Sequence, residues 1–292
     1  MGTDVTFEEF PVFFPAGPNM LSGVVCVPAE PAGDLGVVLA PSSAATRVHR
    51  NRMWVEAARD LAARGVPSIR MDYRGGGEST GTALVFDLEH PFVEDVAAAA
   101  AYLQRATGAE RLLLAGTCYG ARCAAAAVGS IEAAAGLVLM PTALNAPVDR
   151  RKPPVRTRLK RRLRRSQMMT RLLRQDAVLR ARKAIVDRGE PEVESISVSP
   201  AFERDLVAFL QRGDVWFFSG DADKRYPQLQ RCLRDVEPRL SEEARGRLHV
   251  DVAPGRWIEK FHTLGDQQRT IDAVVRAVEA LTTAERPSEE SA

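Results

Sequence analysis

The chain has 292 residues and lacks the features of several protein classes. It has only four cysteines, and Cys26 and Cys232 stand alone without the close pairing of a metal site. No apolar run is long enough to span a membrane. The acidic residues Asp4, Glu8 and Glu9 precede any apolar run, which argues against a secretory signal. We therefore expect a cytoplasmic protein with reduced thiols, no metal and no redox cofactor.

Charge of both signs is present, but it is segregated along the chain. The net charge is +2. The segment from Arg150 to Lys183, called the basic segment below, has fifteen Lys or Arg and one acid, Asp176, so it carries +14 and the remainder carries −12. Val155, Leu159 and Leu163 form one narrow apolar stripe among its arginines, which predicts an inserted helical lid.

Short apolar runs alternate with helical patterns outside the basic segment. Strands are predicted at 24–27, 36–40, 66–71, 111–115, 137–140, 215–220 and 248–252. Their alternation with helices predicts an α/β fold with a mostly parallel, doubly wound sheet. We expect residues 1–142 and 201–281 to form the core, 143–200 to form the lid, and 282–292 to be a disordered tail.

The segment Gly116-Thr117-Cys118-Tyr119-Gly120 lies between a predicted strand and a run of small residues. This order predicts a strand, a tight turn and a helix, which is the arrangement of a nucleophile elbow. The glycines leave room for a strained central residue, so the thiol of Cys118 would be exposed as a nucleophile. The backbone N–H of Tyr119 and the positive end of the helix would then stabilise negative charge beside it.

A nucleophile of this kind needs a base and an acid that orients the base. Asp221 and Asp223 both follow the strand at 215–220, and the spacing from Gly220 favours Asp223 as the acid. His262 follows the strand at 248–252 and is the expected base. The candidate triad is therefore Cys118, Asp223 and His262. Of the other histidines, His249 is interpreted as a strand residue, and His49 and His90 are expected at the surface.

Several of these motifs together resemble the α/β-hydrolase superfamily. They are the loop Asp72-Tyr73-Arg74-Gly75-x-Gly77-x-Ser79, the elbow, the sequence Gly220-x-x-Asp223 and the late His262. Within the superfamily the chain is most similar to exosortase-associated and peptidase S33-like small hydrolases. The resemblance implies the α/β-hydrolase fold and leaves the basic segment as the inserted lid.

The chain departs from the superfamily at two positions. Most members have a serine nucleophile, whereas Cys118 resembles the cysteine of dienelactone hydrolases, polyhydroxyalkanoate synthases and bile-acid amino-acid N-acyltransferases. Members commonly have His-Gly after the first core strand, whereas this chain has Ala40-Pro41-Ser42-Ser43. The resemblance therefore implies that the second oxyanion N–H comes from Ser42 or Ser43, beside that of Tyr119.

The implied function is acyl transfer from an ester or thioester, by hydrolysis or to an acceptor, through a covalent thioester on the cysteine. The basic segment would steer a donor carried on coenzyme A or on an acidic carrier protein, or it would be a solvated surface. It lacks the aromatic residues expected of a nucleic-acid site. The alternative function is a non-catalytic binding protein that recruits a partner through this segment. The residues predicted to bind the donor are Arg158, Lys160, Arg161 and Arg162.

Overall fold

The computed structural model describes most of the chain outside the basic segment. The described residues are 7–43, 45–82, 88, 90–142, 144, 198–256 and 263–283. Of the predicted lid, 143–200, only residues 144 and 198–200 are described, and of the predicted tail, 282–292, only residues 282 and 283, which are helical. His262 lies outside the described residues. None of the helices in the described ranges combines the length and the apolarity that a membrane crossing requires.

The strands of the described ranges form one sheet. They are β1 (Phe7–Ala16), β2 (Asn19–Pro28), β3 (Leu35–Ala40), β4 (Ser68–Met71), β5 (Arg111–Cys118), β6 (Ala134–Thr142), β7 (Asp214–Gly220) and β8 (Leu248–Ala253). Their order in the sheet is β1-β2-β4-β3-β5-β6-β7-β8. The pairs β1–β2 and β2–β4 are antiparallel, and all other neighbours are parallel. The prediction of a mostly parallel sheet is confirmed.

Helices cover both faces of this sheet. They are α1 (Met53–Ala63), α2 (Val93–Thr107), α3 (Tyr119–Ala127), α4 (Pro200–Phe209), α5 (Tyr226–Val236), α6 (Glu242–Gly246) and α7 (Leu264–Thr283). The apolar residues of α1 and α7 pack in one core cluster, and those of α2 to α5 pack in the other. The sheet is therefore doubly wound, with one hydrophobic core on each side.

The central strands are buried on both faces, which explains their continuous apolar sequence. Leu112 and Leu114 of β5 belong to the core cluster on one side, and Leu113 and Ala115 belong to the cluster on the other. Successive side chains of a strand point to opposite faces, so a strand covered on both sides needs apolar residues at every position. The strand that carries this apolar run ends at Cys118.

One strand, β1, was not predicted from the sequence. Its ten residues include Pro11, Pro15, Glu8 and Glu9, which interrupt the apolar pattern. The strand lies at the edge of the sheet and pairs only with β2. Proline is tolerated there because one side of an edge strand needs no hydrogen-bond donors.

The chain leaves the core after β6 and returns at α4, and these two points are joined. The amide of Ser199 donates to the carbonyl oxygen of Leu144 at 2.8 Å. The Ser199 hydroxyl accepts a hydrogen bond from the buried Arg122 of α3 at 2.7 Å, and it caps α4 by accepting from the Phe202 amide. The long intervening segment therefore begins and ends at neighbouring positions of the core.

Candidate active site

The turn between β5 and α3 has the geometry of a nucleophile elbow. Cys118 ends β5, and Tyr119 begins α3. The backbone of Cys118 has φ 53° and ψ −112°, which residues other than glycine adopt only where the surrounding structure imposes it. The predicted strand, turn and helix are therefore confirmed, and the Cys118 side chain is partly exposed.

The two glycines of the elbow are required by close backbone contacts. A Cβ on Gly116 would lie 2.5 Å from the backbone nitrogen of Ala121 on the far side of the turn. A Cβ on Gly120 would lie 2.4 Å from the carbonyl oxygen of Ala40 and 2.5 Å from that of Pro41. The elbow is therefore wedged against the end of β3, and any side chain at either position would displace backbone atoms.

Cys118 differs from the other three cysteines in its environment. Cys26, Cys123 and Cys232 are buried, whereas Cys118 is partly exposed. Burial raises the pKa of Cys26 to about 11 and the pKa values of Cys123 and Cys232 to about 12. These three thiols are therefore neutral at neutral pH and unreactive, and the interpretation of Cys123 as a core residue is confirmed.

A guanidinium group contacts the Cys118 thiol. Arg225 Nη1 lies 3.1 Å from the Cys118 Sγ and also donates to the carbonyl oxygen of Pro141 at 3.1 Å. Arg225 is the residue before α5, whose buried Leu229, Cys232 and Val236 anchor the helix in the core. Its positive charge therefore lies directly against the sulfur of Cys118.

Arg225 was missed in the sequence analysis. Its position two residues after Asp223, in the loop that follows β7, was the available signal. A charged residue so close to the expected acid lies on the sheet edge where the elbow also lies, because the carboxyl ends of parallel strands share one edge.

The two candidate acids have different environments. Asp223 is buried, and its Oδ2 accepts hydrogen bonds from the Gly220 amide at 2.6 Å and from the Ser219 hydroxyl at 3.4 Å. Asp221 is exposed, and its Oδ1 accepts from the Gly255 amide at 2.7 Å. Asp221 thus links the loop after β7 to the loop after β8. Asp223 is instead buried and bonded to the last two residues of β7.

The loop that was predicted to supply an oxyanion N–H lies beside the elbow. Ala40 of β3 is in register with Gly116 of β5, and the chain continues through Pro41 to Ser42 and Ser43. Both serines are half-buried. The contact of Gly120 with the Ala40 and Pro41 carbonyls brings this loop against the start of α3, where the amide of Tyr119 lies.

His49 was expected at the surface, and that prediction is wrong. The ring is buried, its Nε2 lies 3.0 Å from the Thr117 hydroxyl, and it packs against Trp54. Burial lowers the pKa of His49 to about 4, so the ring is neutral at neutral pH. The backbone has φ 59° at His49, and Asn51 and Arg52 also have positive φ. The segment is therefore strained and supports the elbow through Thr117.

The glycine-rich loop after β4 is fixed by two buried carboxylates. Asp72 pairs with Arg47 and accepts from its backbone amide at 2.5 Å. Asp95 of α2 pairs with Arg74 and accepts from the Arg74 amide at 2.8 Å. A Cβ on Gly77 would lie 2.1 Å from the Asp72 carboxylate. This loop is a structural element, in agreement with its interpretation as a shaped loop.

The remaining predicted residues do not join the site in the described part of the chain. His249 lies in β8 and contacts Asp214 at the start of β7 at 2.9 Å, on the opposite edge of the sheet from the elbow. His90 is exposed. His262 and the basic segment lie outside the described residues. Within those residues, no group of three or more His, Cys, Asp or Glu could hold a metal ion.

Comparison with protein families gives one match. Residues 49–204, more than half of the chain, match the family described as serine aminopeptidase, S33. The matched region includes the glycine-rich loop and the elbow. Comparison with curated proteins gives no match.

Solved structures of hydrolases share the fold over nearly their whole length. A putative hydrolase from Agrobacterium vitis S4 has a TM-score of 0.54 and 19% identity over 93% of this chain and 99% of its own. A proline iminopeptidase from Mycobacterium smegmatis gives 0.53 and 15% over 93% and 100%. A dienelactone hydrolase from Anabaena variabilis gives 0.58 and 14% over 94% and 98%. The α/β-hydrolase fold predicted from the sequence is thereby confirmed.

The wedged elbow predicts the effect of adding one methyl group. Gly120→Ala should lower the free energy of unfolding by roughly 1–3 kcal/mol, because the new Cβ would overlap two backbone carbonyl oxygens. Gly129→Ala is the control, since no atom lies within 4 Å of its added Cβ. Chemical denaturation of both variants measures the difference. Equal losses would show that the elbow is not tightly wedged.

Proposed function

Because the chain belongs to the serine aminopeptidase S33 family of α/β-hydrolases, we propose that it is an acyl-transfer enzyme with a cysteine nucleophile. Its substrate is an ester or thioester, and its acyl group passes through a covalent thioester on Cys118. The observation that carries this proposal is the strained backbone of Cys118 at the elbow, with a partly exposed thiol. The family is named for serine, and this chain has cysteine where the elbow nucleophile is expected.

In the proposed reaction, the Cys118 sulfur attacks the carbonyl carbon and the thiol proton passes to His262. The carbonyl oxygen takes the negative charge and accepts hydrogen bonds from the amides of Tyr119 and of Ser42 or Ser43. The bond from the carbon to the leaving oxygen or sulfur then breaks, and His262 gives the proton to the leaving group. Water, an amine or an alcohol attacks the resulting thioester and regenerates the thiol.

Asp223 would orient His262 in this scheme. Its burial and its two hydrogen bonds within the loop after β7 support this role, because a catalytic acid must hold the imidazole in one orientation. The hydrogen bond of Asp221 to Gly255 supports a structural role for that residue instead. Arg225 supports the assignment of Cys118 as the nucleophile, since its guanidinium contacts the sulfur that would attack.

We further propose that the basic segment recruits an anionic acyl donor, either an acyl-coenzyme A or an acyl group on an acidic carrier protein. The segment carries +14 in a chain whose remainder carries −12. Such segregation raises the local concentration of polyanionic ligands and speeds their association. The four residues proposed to contact the donor are Arg158, Lys160, Arg161 and Arg162.

The covalent intermediate is directly testable. Incubation with acyl-coenzyme A or an activated ester should add the mass of one acyl group to the protein, and Cys118→Ala should abolish this addition and turnover together. Intact-protein mass spectrometry makes the measurement. Cys123→Ala is the matched control, because that thiol is buried and has a pKa raised to about 12. An acyl adduct that survives Cys118→Ala would favour a different nucleophile. The absence of both adduct and turnover with every donor would favour a non-catalytic binding protein.

The assignment of the acid gives a second test. Asp223→Asn should lower kcat by about 10⁴-fold, as in other triads, because the imidazole loses its orienting partner. Asp221→Asn should change kcat by less than about tenfold, since Asp221 bonds a backbone amide at the surface. Steady-state kinetics on one activated ester compares the two. A larger loss for Asp221→Asn would reverse the assignment.

Charge reversal tests the role of the basic segment. Changing Arg158, Lys160, Arg161 and Arg162 to Glu should raise KM for an acyl-coenzyme A while leaving kcat/KM for a small neutral ester nearly unchanged. Added salt should raise the wild-type KM toward that of the variant, because the Debye length is only about 8 Å at physiological ionic strength.

The matched control reverses four exposed arginines of α4, α5 and the turn after α5. They are Arg204, Arg231, Arg234 and Arg239. This variant loses the same number of positive charges and should change KM for the coenzyme A thioester much less. Equal changes of KM in both variants would show that the effect depends only on net charge. That result would contradict a specific role for the basic segment.

A further inference from the structure

Arg225 has no carboxylate partner among the residues that the structure describes. Three other arginines of the core form ion pairs: Arg47 with Asp72, Arg70 with Glu9, and Arg74 with Asp95. The hydrogen-bond partners of Arg225 in the described part of the chain are the Sγ of Cys118 and the carbonyl oxygen of Pro141, and both bond the same nitrogen, Nη1. The other side of its planar fork is therefore available to an anion.

Thr142, which has no hydrogen-bond partner for its hydroxyl in the described ranges, lines a pocket together with Arg225. Thr142 and Arg225 line a small pocket at the carboxyl ends of β6 and β7, together with apolar residues such as Leu144 and Phe217. Thr142 is 6% exposed, and its Oγ1 has no hydrogen-bond partner in the described residues. Buried hydroxyls are nearly always bonded, so the Thr142 hydroxyl can offer a hydrogen bond to a group that enters this pocket.

This pocket is adjacent to the reacting atom. Thr142 of β6 is in register with Cys118 of β5, and the Arg225 guanidinium lies 3.1 Å from the Cys118 sulfur. A group held by Arg225 and Thr142 must therefore lie close to the carbon that becomes bonded to this sulfur.

We propose that Arg225 and Thr142 bind a carboxylate on the acyl group of the substrate, one or two carbons from the carbonyl that Cys118 attacks. The preferred substrates are then esters or thioesters of short dicarboxylic acids. This inference rests on the proposed acyl transfer and names its substrate class. The pocket has room for about one water molecule, so a single carboxylate oxygen can enter it and a long alkyl chain cannot.

The change at the sulfur during the reaction explains why the arginine would use such a group. Before the reaction, the Arg225 guanidinium contacts the Cys118 sulfur. When the thioester forms, the sulfur is a weak acceptor, while the guanidinium remains charged and half-buried. A substrate carboxylate would then supply both the charge and the paired oxygens that a guanidinium binds best.

Alkylation of Cys118 tests this binding without any turnover. Iodoacetate and iodoacetamide differ only in that the first carries a carboxylate; in both, the sulfur displaces iodide and forms an S–C bond. Loss of Arg225 would also change the reactivity of the Cys118 sulfur toward both reagents. The ratio of the two rate constants removes this common effect. We expect Arg225→Met to lower the iodoacetate/iodoacetamide ratio by about tenfold or more. Rates are measured by the mass of the modified protein.

Three further variants control this experiment. Thr142→Val keeps the shape of the side chain and should lower the ratio by several-fold. Arg225→Lys keeps the charge and should retain part of it. Arg231→Met removes an exposed arginine of α5 and should leave the ratio unchanged. If Arg225→Met does not fold, the same site can be tested in the wild type. Succinate should then protect Cys118 from iodoacetamide, and succinamide should not.

Turnover then separates this inference from the proposed function. The wild type should hydrolyse a thioester of succinate faster than one of butyrate, and Arg225→Met should lose this preference. A wild-type ratio equal to that of free cysteine, unchanged in Arg225→Met, would overturn the carboxylate site even if neutral esters are turned over. A ratio that depends on Arg225, with no ester turned over, would instead uphold the site and contradict the proposed acyl transfer.

Discussion

The site depends on one backbone constraint, the reversal of the chain at Cys118 within a single residue. The positive φ of this cysteine is maintained because Gly116 faces the backbone of the next turn and Gly120 faces the carbonyls at the end of β3. The same contacts determine the position of the Tyr119 amide and of the loop that begins at Ser42. A fixed thiol and fixed amides are what acyl transfer requires, because donors that are already oriented need no reorganisation during the reaction.

The charged side chains near this edge of the sheet have two distinct roles. Arg47 and Arg74 neutralise the buried carboxylates Asp72 and Asp95 and so hold the glycine-rich loop in place. Breaking such a buried pair leaves an uncompensated charge, which makes these arginines structural and unavailable to a ligand. Arg225 has no such partner among the described residues, so its charge remains available at the thiol.

Features that follow from burial were predictable from the sequence, and features that follow from tertiary contacts were not. The central strands were predictable because burial on both faces requires continuous apolar residues, and the elbow was predictable because its glycines leave no room for Cβ atoms. The edge strand β1 has no such pattern. The burial of His49 depends on Thr117, 68 positions away, and the contact of Arg225 with Cys118 spans 107 positions. Local periodicity in the sequence cannot indicate contacts between residues that are so far apart along the chain.

The proposed cysteine nucleophile differs from a serine in what a neighbouring arginine can do for it. A serine hydroxyl stays protonated until a base removes its proton during attack, so a nearby guanidinium has no ground-state anion to stabilise. Thiols as a class are far more acidic than hydroxyls, and in this structure the Arg225 guanidinium lies 3.1 Å from the Cys118 sulfur. Substitution of Cys118 by serine alone would therefore leave Arg225 opposite a neutral oxygen. In the proposed mechanism, Cys118 and Arg225 act together at the attacking atom.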